Sequence, residues 1–353
     1  MMKAIYCCLV LLISVLFISC ATSDKGFNKA SLEKNEEFEQ VIKIEKIESS
    51  EEPEESSVKK APIVKEKSKP KKKVKKKATV VKKEKKKNLV KKKETLSSKK
   101  KKPVKKQPSL EDSENFEGRR PSVDPYRVGE EIVLGVSYFA VEAGKFTMRV
   151  KPMVQVNGRK SYHFQYVVKS SPLFSMFYSA NDVAETFVDY ETMVPYSYEI
   201  HVDESKQVRE TRTFFDHKKN KATMWDKKKK PGQELEERKL EWDLKSYSQN
   251  VFSAAYYLRA FTLRVGKELK IRVGHEGKNI IMTAKVLRKE KIYTDLGAFD
   301  TFVVKPSFDI DGKFKPTGEN LLWLTADDRK FIVRLESKIK IGTIVGKLQK
   351  LKK

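Results

Sequence analysis

A lysine-rich tract lies between the N-terminal part of this 353-residue chain and its C-terminal part, and it is too highly charged to form a hydrophobic core of its own. Residues 59–106 contain 25 Lys, no Arg and three Glu, a net charge of +22. Before them, residues 31–58 contain ten Glu and three Lys, a net charge of −7. Segments of high charge and low hydrophobicity cannot bury enough apolar surface to offset the entropy lost on folding. The sequence therefore predicts a disordered linker over residues 20–122. Within it, residues 41–47 have the pattern of a transient strand or helix, but nothing nearby would bury their apolar side chains.

The chain begins with the pattern of a secretory signal. One Lys precedes an apolar run over residues 4–18. This run is shorter than the roughly 20 residues of a membrane-spanning helix but has the length of the apolar region of a signal peptide. An uncleaved N-terminal anchor is the alternative interpretation.

Residues 16–20, with the sequence Leu-Phe-Ile-Ser-Cys, resemble the lipobox of bacterial lipoproteins. The resemblance implies removal of residues 1–19 as a lipoprotein signal peptide and lipidation of Cys20, although Phe17 stands where Leu is usual. Ala21 follows the cysteine, whereas Asp at that position is what mainly retains similar lipoproteins at the inner membrane. The resemblance thus implies an outer-membrane lipoprotein that faces the periplasm.

The lysine tract explains most of the formal net charge of +27, since residues 107–353 contribute only +10. Proteins read nucleic acids with arginine forks and stacked aromatic rings, and the tract has neither, so we expect no nucleic-acid partner. In the cell envelope, anionic polymers and lipid phosphates are the partners that lysine charges attract. A solvated spacer without a specific partner is the alternative, and about 100 residues would span roughly 50–60 Å. The candidate polyanion-binding residues are Lys71, Lys72, Lys73, Lys75, Lys76, Lys77, Lys85, Lys86 and Lys87.

Residues 123–353 have the sequence pattern of a β-rich domain. Alternating apolar and polar residues, bounded by turn residues, indicate about a dozen strands. Asn157-Gly158 and Asp311-Gly312 are typical of tight hairpin turns, and Ala143-Gly144 is interpreted as another. So many sequential hairpins predict a mainly β fold, a large curled antiparallel sheet or partly closed β-barrel.

Two segments of the β-rich domain do not alternate. Residues 248–261 predict a helix that begins at polar residues and is apolar on two faces, and such a helix is largely buried. We expect it to pack into the concave side of the sheet. Residues 172–177 predict a second, shorter helical turn.

Several ordered pieces of this region resemble a known exported bacterial family, the domain of unknown function 3108. The resemblance covers residues 125–350 and implies export and a β-rich fold, but no activity. Asn250 stands where the family usually has Asp. The pieces are Tyr126-Arg127-Val128-Gly129-Glu130, Ala143-Gly144, Phe187-Val188-Asp189 with Pro195, Ser253-Ala254 through Tyr256-Tyr257-Leu258-Arg259, Gly297-Ala298-Phe299-Asp300-Thr301 with Lys305-Pro306, Trp323-Leu324-Thr325 with Asp328, and Ile341-Gly342.

No catalytic or metal-binding motif is present in the sequence. The four histidines show no metal-ligand spacing, so we expect no metal, no cofactor and no enzymatic activity. A curled sheet with a helix across its mouth is a usual place for an apolar ligand cavity. Tyr256, Arg259 and Trp323 are the candidate lining residues, with ordinary core packing as the alternative for each.

Two functions follow from these features. The first is a lipid-anchored periplasmic protein that binds a hydrophobic or glycan envelope ligand or assists envelope assembly. The second is a structural scaffold whose lysine tract binds anionic envelope polymers and whose β-domain docks a protein partner.

Overall fold

The computed structural model describes residues 35–47, 121, 123–310, 313–315, 319–339 and 342–353. The predicted signal peptide, Cys20, the whole Lys-rich part 59–106 and the predicted turn at Asp311-Gly312 lie outside the described residues. No helix within the described ranges is long and apolar enough to cross a membrane.

Sixteen antiparallel strands form one sheet. Their hydrogen-bonding order is β10-β11-β12-β14-β15-β16-β2-β3-β4-β5-β6-β7-β8-β9, with β1 paired to β3 and β13 to β12. The first eight strands are β1 (Ile44–Lys46), β2 (Glu131–Tyr138), β3 (Val141–Val156), β4 (Arg159–Ser170), β5 (Asn181–Asp189), β6 (Pro195–Glu204), β7 (Gln207–Asp216) and β8 (Lys221–Lys229). The others are β9 (Glu236–Asp243), β10 (Glu268–His275), β11 (Lys278–Thr294), β12 (Gly297–Ile310), β13 (Lys313–Lys315), β14 (Asn320–Thr325), β15 (Ile332–Ile339) and β16 (Gly342–Lys352).

The prediction of a mainly β fold built on a large antiparallel sheet is confirmed, and the sheet is not closed. Its two edge strands, β9 and β10, are not paired with each other. Side chains bridge this gap instead: Arg209 Nη2 lies 3.0 Å from Glu276 Oε1, and Asn279 Nδ2 donates to the Asp243 carbonyl over 2.7 Å. The sheet therefore curls far enough for side chains near its two edges to touch.

Three helices accompany the sheet in the described residues: α1 (Glu36–Val41), α2 (Pro172–Ser175) and α3 (Val251–Arg259). The helix predicted over residues 248–261 is α3, and all nine of its residues are buried. Asn250 is the N-cap of α3, because its Oδ1 accepts hydrogen bonds from the backbone N–H groups of Phe252 and Ser253. Since α3 is buried all round, it lies inside the curl, against the inner face of the sheet.

The apolar side chains of the sheet form two clusters, and neighbouring residues of one strand belong to different clusters. Phe187 and Trp225 belong to a small cluster, while their neighbours Val188 and Met224 belong to the large core around α3. Successive side chains of a strand point to opposite faces. The large cluster is therefore the inner core, and the small one lies on the outer face.

One turn prediction is confirmed and one is wrong. Asn157 and Gly158 form the β3–β4 turn, both with positive φ. Ala143 and Gly144 lie inside β3, and the turn falls at Phe139-Ala140 instead. Gly144 has a different role, because a Cβ on it would lie 2.3 Å from the Lys169 carbonyl oxygen. The glycine permits a close strand approach rather than a bend.

The prediction of a disordered linker is wrong for residues 35–47. This segment forms α1 and β1 and buries Phe38 and Ile42 against the outer face. The physical reason is that the outer face carries an apolar cluster of its own, which the sequence does not reveal. The remainder of the predicted linker up to residue 120 lies outside the described residues.

Candidate functional site

The structure places the three candidate lining residues in the core. Tyr256 and Arg259 lie in α3, and Trp323 lies in β14; all three are at most 3 % exposed. The Tyr256 hydroxyl donates to the Arg149 carbonyl over 3.0 Å, and its ring stacks on Phe164 with centroids 3.8 Å apart. These contacts hold α3 against the inner face of the sheet.

Arg259 forms a buried ion pair with Glu130, the residue directly before β2. The guanidinium donates from Nη1 to Glu130 Oε1 over 2.6 Å and from Nη2 to Oε2 over 3.0 Å. Both side chains are 1 % exposed or less. Burial would by itself lower the pKa of Arg259, but the carboxylate of Glu130 outweighs it and raises the pKa. The pair is a bidentate fork, a strong form of this interaction.

A second arginine completes this cluster. Arg329, in the turn between β14 and β15, donates from Nη2 to Glu130 Oε2 over 2.7 Å. Arg259 Nε donates to the Arg329 carbonyl, and both arginines donate to the Pro125 carbonyl. Three segments far apart in sequence are thus joined at one end of the curled sheet. These hydrogen bonds are typical of a structural ion-pair network.

Trp323 belongs to the same large apolar cluster as Tyr256 but has other neighbours. Its cross-strand partner on β15 is Arg334, whose guanidinium carbon lies 5.1 Å from the indole centroid. No hydrogen bond, ion pair or ring contact joins Trp323 to Tyr256 or Arg259 among the described side chains. The structure therefore brings Tyr256 and Arg259 together and leaves Trp323 apart from them.

Asn250 uses its amide in a way that aspartate cannot. Its Nδ2 donates to Thr186 Oγ1 over 2.7 Å, while the Thr186 hydroxyl donates to the Ser197 carbonyl over 2.9 Å. A carboxylate would have to accept from Thr186 and so compete for the hydrogen that the Ser197 carbonyl receives. The departure from the usual Asp is thus matched to the position of Thr186.

The outer face carries the second candidate site, which the sequence pattern does not predict. We call it the outer docking surface and define it as Val154, Val156, Phe187 and Trp225. Three side chains of the 35–47 segment pack on it: Phe38 and Ile42, which are buried, and Ile44, which is partly buried. The ring of Phe38 meets the Trp225 ring edge-on, with centroids 5.9 Å apart. The surface therefore binds a polypeptide segment through apolar side chains.

Backbone hydrogen bonds fix the register of that segment. Strand β1 pairs with residues 154–156 of β3, where β3 runs past its pairing with β2 and would otherwise expose an edge. Asn157 in the β3–β4 turn makes three more bonds to the segment. Its N–H donates to the Lys43 carbonyl, its Oδ1 accepts from the Lys43 N–H, and its Nδ2 donates to the Val41 carbonyl. This is strand addition to a free edge, a common mode of peptide recognition.

A polar contact lies beside the outer docking surface. The Glu37 carboxylate accepts from Lys239 Nζ over 2.6 Å and from Trp225 Nε1 over 2.9 Å. The hydrogen bond from Lys239 is the main cause of a lowered pKa of Glu37. Because Glu37 is exposed, the contact contributes orientation more than stability.

A weak signal for this segment is present in the sequence. Asn35 is a helix N-cap type, and Phe38 and Ile42 are four residues apart in an otherwise charged stretch. That spacing places both side chains on one helical face. The surface that receives them is what the sequence does not show.

The histidines do not assemble a metal site. His163 contacts Glu185, and His201 contacts Glu210. His275 is buried, which lowers its pKa. No group of three or more His, Cys, Asp or Glu side chains that could hold a metal ion occurs in the part of the chain that the structure describes.

Comparison with known proteins identifies the family of the chain. The sequence profile described as "Protein of unknown function (DUF3108)" matches residues 135–349. The chain belongs to this family. No curated protein matches it.

Two solved structures are similar to this DUF3108 protein. One is a β-barrel-like protein of domain of unknown function DUF1849 from Brucella abortus, with 13 % identity, coverage of 64 % of this chain and 97 % of that one, and a TM-score of 0.43. The other is described as an exported protein with a YmcC-like fold from Bacteroides fragilis, with 12 % identity, coverage of 65 % and 98 %, and a TM-score of 0.28.

The ion-pair network joins pieces of the DUF3108 protein that are far apart in sequence. Glu130 ends the first resembling piece, which precedes the matched range, and Arg259 ends the piece in α3. Tyr126 of the first piece donates from its hydroxyl to the Tyr256 carbonyl over 2.6 Å. In this DUF3108 protein the two pieces therefore act as one packing unit.

Proposed function

We propose that this protein is a lipid-anchored scaffold of the bacterial cell envelope, without enzymatic activity, whose β-domain binds polypeptide on its outer face. The observation that supports it is the outer docking surface, which holds residues 35–47 by strand addition and by apolar contacts. A surface that binds one segment in this way has the chemistry to bind another of the same pattern. The inner face favours a ligand carrier less, because α3 and its aromatic neighbours lie there.

In this proposal the outer membrane is the site of anchoring. Its support is the lipobox-like sequence that ends at Cys20, followed by Ala21. Metabolic labelling with palmitate tests it: the wild-type chain incorporates label and Cys20→Ala does not. Equal labelling of both chains would contradict the anchor.

The lysine tract serves in this proposal as the contact to anionic envelope polymers. Its support is the net charge of +22 over residues 59–106. We expect a chain without residues 1–19 and with Cys20→Ala to sediment with isolated envelopes at low salt and to be released as salt rises, since charge attraction is screened. The matched control replaces residues 59–106 with a Gly/Ser stretch of equal length. Sedimentation that this replacement does not weaken would contradict the role of the tract.

Binding of a hydrophobic or glycan ligand is the alternative that the same preparations test. Native mass spectrometry of the purified protein measures co-purifying lipid or glycan. The scaffold proposal expects the mass of the bare chain. A stoichiometric adduct that survives purification would favour the ligand carrier instead.

A further inference from the structure

One end of the curled sheet presents a group of apolar side chains to solvent. They lie in two segments, the β2–β3 turn and the helix α2 with the residues after it. Each of these residues is between 53 and 71 % exposed. We call this group the apolar tip; it comprises Phe139, Val141, Leu173, Met176 and Phe177.

The two segments of the apolar tip are held side by side. Ser171, the N-cap of α2, donates from its N–H to the Ala143 carbonyl and from its Oγ to the Glu142 carbonyl, both over 2.9 Å. Phe139 and Ala140 adopt left-handed backbone conformations, with φ of 48° and 64°. Such conformations are uncommon for residues other than glycine. The protein thus keeps a bulky ring at a turn that glycine would form more easily.

Lysines lie behind the apolar tip on the outer face. Lys145 of β3 and Lys169 of β4 are direct cross-strand partners, and Lys347 of β16 lies level with Lys145 on the other side of Gly135. Lys338 of β15 pairs with Thr343 and lies level with the tip itself. All four are exposed, and none of them forms an ion pair within the described chain. Lys145 is four residues from Val141 along β3, a distance of about 13 Å.

This arrangement matches the layers of a bilayer surface. Apolar side chains of peripheral proteins enter about 5–10 Å into the boundary between headgroups and acyl chains. Flexible lysine side chains set about 13 Å back then reach the phosphate level. Protein interfaces, by contrast, are depleted in lysine and enriched in arginine. We propose that the apolar tip inserts into a bilayer that carries anionic phospholipid, with Lys145, Lys169 and Lys347 at the phosphates.

A fluorescent probe at the apolar tip tests this proposal. The cysteines of the chain are Cys7, Cys8 and Cys20, so the chain without residues 1–19 and with Cys20→Ala has none. Met176→Cys in that chain carries an environment-sensitive NBD label. On vesicles of phosphatidylcholine with phosphatidylglycerol we expect NBD emission to rise, shift to the blue and be quenched by brominated acyl chains. On phosphatidylcholine alone we expect a much smaller change.

Leu296→Cys is the matched control, because Leu296 is an exposed apolar residue in the β11–β12 turn at the opposite end of the sheet. The NBD label on Leu296→Cys should remain in water while the chain is bound to the vesicles. Phe177→Ser should weaken insertion of the Met176→Cys label about tenfold, and Lys145→Gln with Lys169→Gln should weaken it about tenfold or more on anionic vesicles only. Circular dichroism checks that these surface variants fold.

Three results overturn the proposal. The first is an equal response of the labels at Met176→Cys and Leu296→Cys. The second is a Met176→Cys label that stays in water while the protein is bound to vesicles. The third is a Met176→Cys label that responds to protein concentration in the absence of vesicles. The last result would assign the apolar tip to a second copy of the chain. The measurement is repeated on a chain with a Gly/Ser stretch in place of residues 59–106. We expect the Met176→Cys label to respond in this chain as well, because insertion of the tip does not require the tract.

Discussion

The sheet carries a helix on each face, and the two helices are held in opposite ways. On the inner face, α3 is buried along its whole length and is joined to the rest of the domain by aromatic rings, hydroxyl hydrogen bonds and the Arg259–Glu130 pair. On the outer face, α1 buries Phe38 and exposes its three glutamates. The same sheet therefore has one face that belongs to the core and one that binds a short segment with few buried side chains.

This difference favours the outer face as the place of function. A helix with every residue buried cannot leave without unfolding the domain. A short segment with few buried side chains opens in a local step of much lower free energy. We therefore expect changes on the inner face to alter the stability of the whole domain, and changes on the outer face to alter binding.

The largest expected effect comes from breaking the inner ion pair. Arg259→Met leaves the buried carboxylate of Glu130 with Arg329 alone, and we expect a loss of about 3–5 kcal/mol in the free energy of unfolding. Urea unfolding measures it. Arg334→Met is the surface control, since Arg334 and its partner Glu336 are both partly exposed. The control should cost under about 1 kcal/mol. Equal losses in the two variants would contradict the inner role of Arg259.

An ion pair on the outer face of the sheet should show a smaller, pH-dependent effect. Burial alone would raise the pKa of Asp189, but hydrogen bonds from Arg159, Thr192 and Tyr196 outweigh it and lower the pKa from 3.8 to about 2. The contribution is therefore fully present above pH 3.8 and is lost as the pH falls through about 2. Because the Arg159 side chain is half exposed and solvent screens it, we expect about 1–2 kcal/mol of stability to disappear over this window.

Urea unfolding as a function of pH measures the contribution of Asp189. The control is Asp189→Asn, which should be less stable at neutral pH and should flatten the acid limb of the curve. A variant whose acid limb matches that of the wild type would show that other carboxylates govern it.

The smallest expected effect on global stability comes from Phe38→Ala. The change removes the main buried side chain of α1, so residues 35–47 should leave the outer docking surface while the domain loses under about 1 kcal/mol. Hydrogen exchange read by mass spectrometry should show faster exchange in residues 35–47 and unchanged exchange in α3. Phe252→Ala in α3 is the inner counterpart and should cost about 3–5 kcal/mol. Similar losses in the free energy of unfolding for Phe38→Ala and Phe252→Ala would contradict the difference between the inner and outer faces.

The fold class was predictable because strands and helices leave periodic patterns. Alternation indicates the hairpins of the sheet, and the doubly apolar segment before residue 261 indicates the buried α3. Strands β8 and β9 are harder to predict from the sequence, since runs such as Lys227-Lys228-Lys229 interrupt the alternation of apolar and polar residues. Their strand state comes from pairing with neighbours, which outweighs the local preference.

The sites were less predictable because they depend on which strands meet. The spacing of Tyr256 and Arg259 predicts that they lie on one face of the helix. The sequence does not reveal that Glu130 is the partner of Arg259. Among the described side chains, no hydrogen bond or ring contact joins Trp323 to Tyr256 or Arg259, since the register of β14 against β15 places Trp323 opposite Arg334. The outer docking surface draws on β3, β5 and β8, and no local pattern connects those strands.

The most direct test of the outer docking surface is binding of a detached segment. A fluorescent peptide of residues 35–47 is titrated against a chain that lacks residues 1–47, and fluorescence anisotropy measures binding. The matched pair of variants is Asn157→Gly, which removes the side-chain bonds to the segment, and Asn220→Gly, another left-handed turn position. We expect saturable one-to-one binding that Asn157→Gly weakens and Asn220→Gly leaves intact. Absence of binding to a folded domain, or equal binding by both variants, would contradict a peptide-binding outer face.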